Sequence, residues 1–266
     1  VILLAGSGPN DMDETIYDNK PFQDIAWGLA KKGIASYRYD KRTYTYPESF
    51  TVKDTVEQEV IFDAVAAFSQ MKQQKQIDTN KIYILGHSLS GYLIPRIAAE
   101  TDGCAGYIMM AAPARALDEL LMEQVTYLAK LDGNITKDEQ AAIDQYKQDQ
   151  QDLQRIDELS DAKIFFGGMS KAYMKDLLSY DAVQQAADIK VPVLCAQGLR
   201  DYQVTEEDQA IWRKNFETHK NWKFTTYPNA THLMIDGEGT PTNEEYKTKG
   251  HVNQAFIEDI ASFIKK

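Results

Sequence analysis

Cysteine is scarce: the 266 residues contain two, Cys104 and Cys195. Each lies inside an apolar segment, which argues against a disulfide framework or a thiolate metal site and leads us to expect two buried free thiols. Basic charge is also short, with 29 Lys and Arg against 40 Asp and Glu and a net charge of −11. A phosphate backbone or an anionic lipid surface needs a concentrated basic face, so neither nucleic acid nor membrane is expected as the main partner. No run of about 18 apolar residues occurs, so no membrane-spanning helix is expected, and no secretory leader pattern is visible. The Gly-rich stretch near the start is not followed by Gly-Lys-Ser/Thr, which argues against a phosphate loop. The chain opens without Met in the middle of an apolar run, from which an upstream segment is expected; compartment and oligomeric state do not follow.

What is present is an alternation of apolar runs and amphipathic stretches. Val1–Ala5, Ile34–Arg38, the stretch from Lys81, Tyr107–Ala112, Val191–Ala196 and Lys223–Tyr227 read as strands. Pro21–Lys32, closed by Gly33, carries a helical stripe at Phe22, Ile25, Ala26, Leu29 and Ala30. Thr51–Gln74 reads as one long helix with Val56, Val60, Ala64, Ala67, Phe68 and Met71 inward, and Asn253–Lys265 as a closing helix. Such alternation predicts an α/β fold with right-handed crossovers and a mainly parallel sheet covered on both faces. With 43% hydrophobic residues, one large domain over 1–266 is expected.

Residues 113–190 are far too many for an ordinary crossover, and are read as an inserted helical lid. Its first helix runs Leu117–Leu131; its second, opened by the Thr136-x-x-Glu139 capping pattern, is expected to be mostly polar and solvent facing. Ile164–Met169 and Tyr173-Met174 are apolar and expected to be flexible. Phe165, Phe166, Met169 and Tyr173 are candidates for a pocket wall over an acyl or aromatic group; packing between lid and core is the competing reading.

Within Gly86-His87-Ser88-Leu89-Ser90-Gly91 a buried strand breaks and re-enters a helical pattern. A tight strand-to-helix turn would hold the Ser88 hydroxyl clear of its surroundings as a nucleophile; a strand followed by an N-capping serine is the plainer alternative. Asp201 follows the Val191 strand in Gln197-Gly-Leu-Arg-Asp201, ahead of a helix where Thr205 and Asp208 have capping spacing. His232 follows the last strand. Ser, Asp and His therefore stand in order after three strand exits, and that joint order favours the nucleophile reading. Gly6-Ser7-Gly8-Pro9, also at a strand exit, exposes backbone N–H groups, so Ser7 and Leu89 could donate to a tetrahedral oxyanion. Arg42 could meet a substrate carboxylate, or pair with Asp40 and anchor its loop. His87 flanks Ser88 and is expected to pack.

On Ala5-Gly-Ser-Gly-Pro9, Gly86-His-Ser-Leu-Ser-Gly91, Gly198-Leu-Arg-Asp201 and Ala230-Thr-His232 the chain resembles the α/β-hydrolase family, specifically bacterial serine esterases of the dienelactone-hydrolase-like kind, over nearly its whole length. The resemblance implies Ser88 as nucleophile, His232 as base, Asp201 as orienting acid, and backbone Ser7 and Leu89 as oxyanion donors, with no metal or organic cofactor. Two departures stand out: Ala5 where relatives often carry His, and Ser90 where the elbow usually has Gly. The N-terminal hairpin that usually precedes the first parallel strand is absent, so an open sheet edge or an upstream segment is expected. A carboxylic-ester hydrolase acting on a small-molecule substrate is the leading expectation. A lidded serine peptidase, a thioesterase or acyltransferase, and a binding module without chemistry are the alternatives.

Overall fold

Three strands that are buried at every residue form the middle of the sheet: β2 (Tyr83–His87), β3 (Gly106–Met110) and β6 (Val193–Gly198). Continuous burial is what a parallel strand with helices on both faces requires. In the computed structural model, which describes residues 1–265, they are flanked by β1 (Ile2–Leu4) and β7 (Trp222–Tyr227), in the order β1-β2-β3-β6-β7, all parallel. The expected Ile34–Arg38 strand lies beside β1 but amounts to a bridge between Ile2 and Tyr37, with the Tyr37 N–H on the Val1 carbonyl at 2.8 Å.

The period-2 alternation along each strand divides the core in two. Leu3, Ala5, Leu85 and Ile108 join α1 (Pro21–Ala30) and α11 (Gln254–Ile264) on one face. Ile2, Leu4, Ile84 and Met109 join the helices on the other. That second layer contains α3 (Phe62–Lys72), the short α4 (Leu89–Tyr92), α5 (Ile94–Glu100), and, later in the chain, α10 (Glu206–Phe216); α2 (Arg42–Thr45) is a surface turn. Trp212 of α10 is fully buried, and its Nε1 donates to the Ala112 carbonyl at 3.1 Å, so its one polar atom is satisfied.

The expected helix over Thr51–Gln74 starts late. Thr51 and Asp54 close a local turn through side-chain bonds, Thr55 pairs with Gln58, and Glu57–Ile61 forms a π-helical turn before α3 begins. A π turn inserts one residue into the helical period and re-aims a side chain; here it buries Glu59.

Residues 113–190 form α6 (Leu117–Lys130), α7 (Lys137–Leu153), a hairpin of β4 (Ile164–Phe165) and β5 (Met169–Ser170), then α8 (Lys171–Leu178) and α9 (Ala182–Ala186). The capping box at Thr136 and Glu139 is formed in both directions. The stretch expected to be flexible is a tight hairpin whose central residues, Phe166 and Gly167, have φ of 47° and 77°, the geometry of a type I′ turn. Nor is α7 wholly solvent facing: Asp149 and Asp152 are buried against Lys163, and Asp149 accepts the Phe166 N–H at 2.7 Å. Among the described residues, no helix is long and apolar enough to cross a membrane.

Candidate active site

Ser88 ends β2 and precedes α4 with φ 50° and ψ −118°, a conformation that L residues adopt only under constraint. Its N–H donates to the Met110 carbonyl of β3 at 2.9 Å, which anchors the turn to the neighbouring strand. Gly86 makes the turn possible: a Cβ there would lie 2.4 Å from the Ser90 carbonyl oxygen. Ser90 is tolerated because its side chain has somewhere to go. Its hydroxyl donates to the Ala5 carbonyl at 2.5 Å, so the two departures from the family pattern meet and join the turn to the end of β1.

Asp201 and His232 come from the exits of β6 and β7. Those exits touch closely because position 198 is glycine; a Cβ would sit 2.3 Å from the Ala230 carbonyl oxygen. Asp201 Oδ2 meets His232 Nδ1 at 2.6 Å and accepts Gln197 Nε2 at 3.2 Å. Its Oδ1 accepts the N–H groups of Gln203 and Val204 at 2.8 and 2.9 Å. Four donors hold this buried carboxylate as an acceptor, which orients the imidazole with Nδ1 inward and Nε2 outward. Arg200 is turned away, onto Glu245 at 2.7 Å.

The Gly6-Ser7-Gly8 loop is held by side chains on every side. The Gly6 N–H donates to Glu14 Oε1 at 2.6 Å and the Gly6 carbonyl accepts Lys41 Nζ at 2.7 Å. Asn10 Nδ2 donates to the Ser7 carbonyl at 3.0 Å, and the Gly8 N–H donates to Glu59 Oε1 at 2.9 Å. Glu59 also accepts Lys41 Nζ and, through Oε2, the Tyr173 hydroxyl of α8, both at 2.7 Å. Burial, then the Glu59 charge, pushes the Tyr173 phenol well above its ordinary range, so it stays a donor. His87, expected only to pack, is buried between two acceptors: Nδ1 lies 2.8 Å from Glu14 Oε1 and Nε2 lies 2.9 Å from the His232 carbonyl.

Ser7, Ser88, Leu89 and His232 open into one cavity of about 560 Å³ at the C-terminal edge of the sheet. Leu117, Leu120 and Leu121 of α6 and Val204 make an apolar wall; Met169 and Tyr173 also line it. Phe165 and Phe166 do not. They are buried with Leu153, Ile156 and Met174 in the insertion's own small core, because the tight hairpin turns both rings inward. Arg42 is likewise elsewhere, paired with Asp63 rather than Asp40 in a separate surface cleft. The cation that does reach the cavity is Arg115, and it is engaged by Glu123 at 2.6 Å and Asp208 at 2.8 Å. Asp208 therefore does not cap α10: its Oδ1 takes the N–H groups of Ala114 and Arg115 at the root of the insertion, and Thr205 accepts Arg115 Nη2.

The missed residues, Glu14, Glu59, Lys41, His87 and Arg115, carry no local signal. Their partners lie from 8 to 145 positions away, and an acid in a loop looks the same whether it holds water or a backbone N–H.

Residues 19–239 match the family model described as "Serine aminopeptidase, S33". Esterase EstD of Thermotoga maritima is 42% identical over 268 aligned positions that take in all of this chain and 62% of that one. The chain thus spans about three fifths of that relative's length. Among solved structures, Est1E from Butyrivibrio proteoclasticus superposes with a TM-score of 0.59 at 17% identity, covering 99% of this chain and 84% of that one. The Pyrococcus furiosus esterase Pf2001 superposes with a TM-score of 0.59 at 16% identity, covering 99% and 80%. At such identities the structures speak to the fold, and they agree with the sheet and helix layers described above. By the match over most of its length, the chain belongs to the serine aminopeptidase S33 family, with the α/β-hydrolase fold.

Proposed function

We propose that this chain hydrolyses carboxylic esters of small-molecule substrates through an acyl-enzyme on Ser88. One observation carries the reading: a strained, cavity-facing serine shares its cavity with a histidine whose inner nitrogen is held by a buried, fully bonded aspartate at 2.6 Å. His232 Nε2 takes the Ser88 proton as Oγ attacks the ester carbonyl, and Asp201 stabilises the imidazolium that results. The backbone N–H groups of Ser7 and Leu89 receive the negative oxygen. Collapse expels the alcohol with the proton from His232. Water, deprotonated by the same nitrogen, then releases the acid and restores Ser88. The apolar α6 wall suits a hydrocarbon or aryl acyl group, and the name of the Thermotoga maritima relative points the same way.

A second reading, cleavage of short peptides, is favoured by the family's name. Against it, the cavity's one arginine already faces two carboxylates and its buried acid, Glu59, is tied to Lys41, so neither is free for a peptide terminus. Nitrophenyl esters of rising chain length, run beside peptide amides, separate the two. Ser88→Ala is expected to lower ester turnover roughly 10⁴-fold or more with unchanged folding. Retention of about a tenth of wild-type turnover removes Ser88 from the mechanism.

A further inference from the structure

Glu14 and His87 are both buried, to 2% exposure each, and neither touches the cavity. Their bonds run to the two moving parts of the chemistry. Glu14 Oε1 accepts the N–H of Gly6, the residue before the oxyanion donor Ser7, while His87 Nε2 reaches the main-chain carbonyl of His232 itself. The two rings, His87 and His232, pack against each other with centroids 4.6 Å apart and planes tilted by 47°. Glu14 holds this place in a left-handed conformation, φ 52°, which L residues adopt only under constraint.

We propose that Glu14 and His87 are a positioning pair that locks the oxyanion loop to the backbone of the catalytic histidine, so that donor and base keep one fixed separation; this rests on the ester-hydrolase reading above. Proton counting supports it. Both nitrogens of His87 face acceptors, the carboxylate at Nδ1 and a carbonyl at Nε2. A carbonyl cannot donate, so Nε2 must carry a hydrogen, and a second proton must lie between Nδ1 and Glu14. Burial opposes charge on the ring, but the Glu14 charge and hydrogen bond and the His232 carbonyl outweigh it, so the imidazolium is favoured over its ordinary range. Glu14 Oε2 is buried with no partner among the described residues, so the carboxylate's hold is concentrated in Oε1, shared between Gly6 and His87. Removing either partner leaves the other's charge buried without its counter-charge and breaks the one link between the loop and the histidine backbone.

The test measures kcat and KM for nitrophenyl esters in Glu14→Gln, His87→Gln, the double variant and the milder Glu14→Asp, together with fluorophosphonate labelling of Ser88 and binding of a boronic acid that mimics the tetrahedral state. Each single variant is expected to lose about 10- to 100-fold in kcat, less than outright loss of an oxyanion donor costs, with KM within about twofold. Boronate affinity should fall in step, and the double variant should be no worse than the weaker single, because the two residues act as a unit. Losses that multiply in the double variant, or unchanged kcat with only a lowered melting temperature, overturn the proposal. So does a nitrogen-15 histidine spectrum of the wild type showing no proton at His87 Nε2 near neutral pH, a readout that needs neither activity nor a folded variant. Failure of the wild type to hydrolyse any ester or to take the phosphonate label would instead remove the reading on which the proposal rests.

Discussion

At the scale of single residues, the site is defined by what each polar atom touches. Asp201 is bonded by four donors, and only one of them is His232, the proposed base. Asp201→Asn should therefore keep its loop, since the amide oxygen can still accept the Gln203 and Val204 N–H groups. Its NH₂ would face His232 Nδ1 and force the wrong tautomer, so kcat should fall about 10⁴-fold, the loss seen when a serine protease triad is altered in this way. Steady-state kinetics with a circular dichroism melt checks both halves; a loss below about tenfold would mean that Asp201 does not orient the base. The thiols belong to the background: both cysteines are buried and free, and burial pushes Cys195 up to about 12, which leaves it protonated and inert.

Among the elements, the insertion divides into a part that lines the cavity and a part that holds the insertion itself together. Leu120 and Leu121 of α6 belong to the first, Phe165 and Phe166 to the second. Phe166 packs edge-on against Tyr146 with centroids 5.3 Å apart, so Phe166→Ala should cost about 3 to 5 kcal/mol of local stability and leave the ratio of rates across an ester series unchanged. Leu120→Ala removes methylenes that face the cavity, at about 0.8 kcal/mol each, and should shift that ratio roughly 3- to 10-fold toward longer acyl chains. Rate ratios from butyrate to decanoate esters decide it, and a shift with Phe166→Ala alone would mean that the hairpin, not α6, shapes the pocket. The insertion also reaches the Gly6-Ser7-Gly8 loop, through the Tyr173 hydroxyl to Glu59 and from Glu59 to the Gly8 N–H, so any displacement of α8 must break or carry that bond.

For the whole molecule, the charge of −11 sets the long-range field, and the cation that lines the cavity, Arg115, does not reverse it, being paired with Glu123 and Asp208. Anionic esters should be repelled, and kcat/KM for a half-ester of a dicarboxylic acid should rise about two- to tenfold as salt screens the field, while a neutral ester of equal size stays flat. Parallel salt curves for the two substrates would exclude steering by net charge.

Much of this fold was legible in the chain itself because burial imposes a period on the sequence. Apolar runs marked β1, β2, β3 and β6, stripes at three and four marked α1, α6 and α11, and the exits of three strands delivered Ser88, Asp201 and His232 in order. The Thr136 capping box was readable because its partners are three residues apart. The same rule misled at Thr205 and Asp208, where a distant partner, Arg115, outcompeted the local one. It also missed the π turn, since a few side-chain bonds among Thr51, Asp54, Thr55 and Gln58 delayed a helix whose stripe looked continuous. Only the tertiary structure decided that Phe166 turns inward, that Ser90 reaches Ala5, and that Glu14 and His87 join the Gly6 N–H to the His232 carbonyl. A hydrogen-bond partner depends on direction in space, and hydrophobic periodicity records only which side of an element is dry.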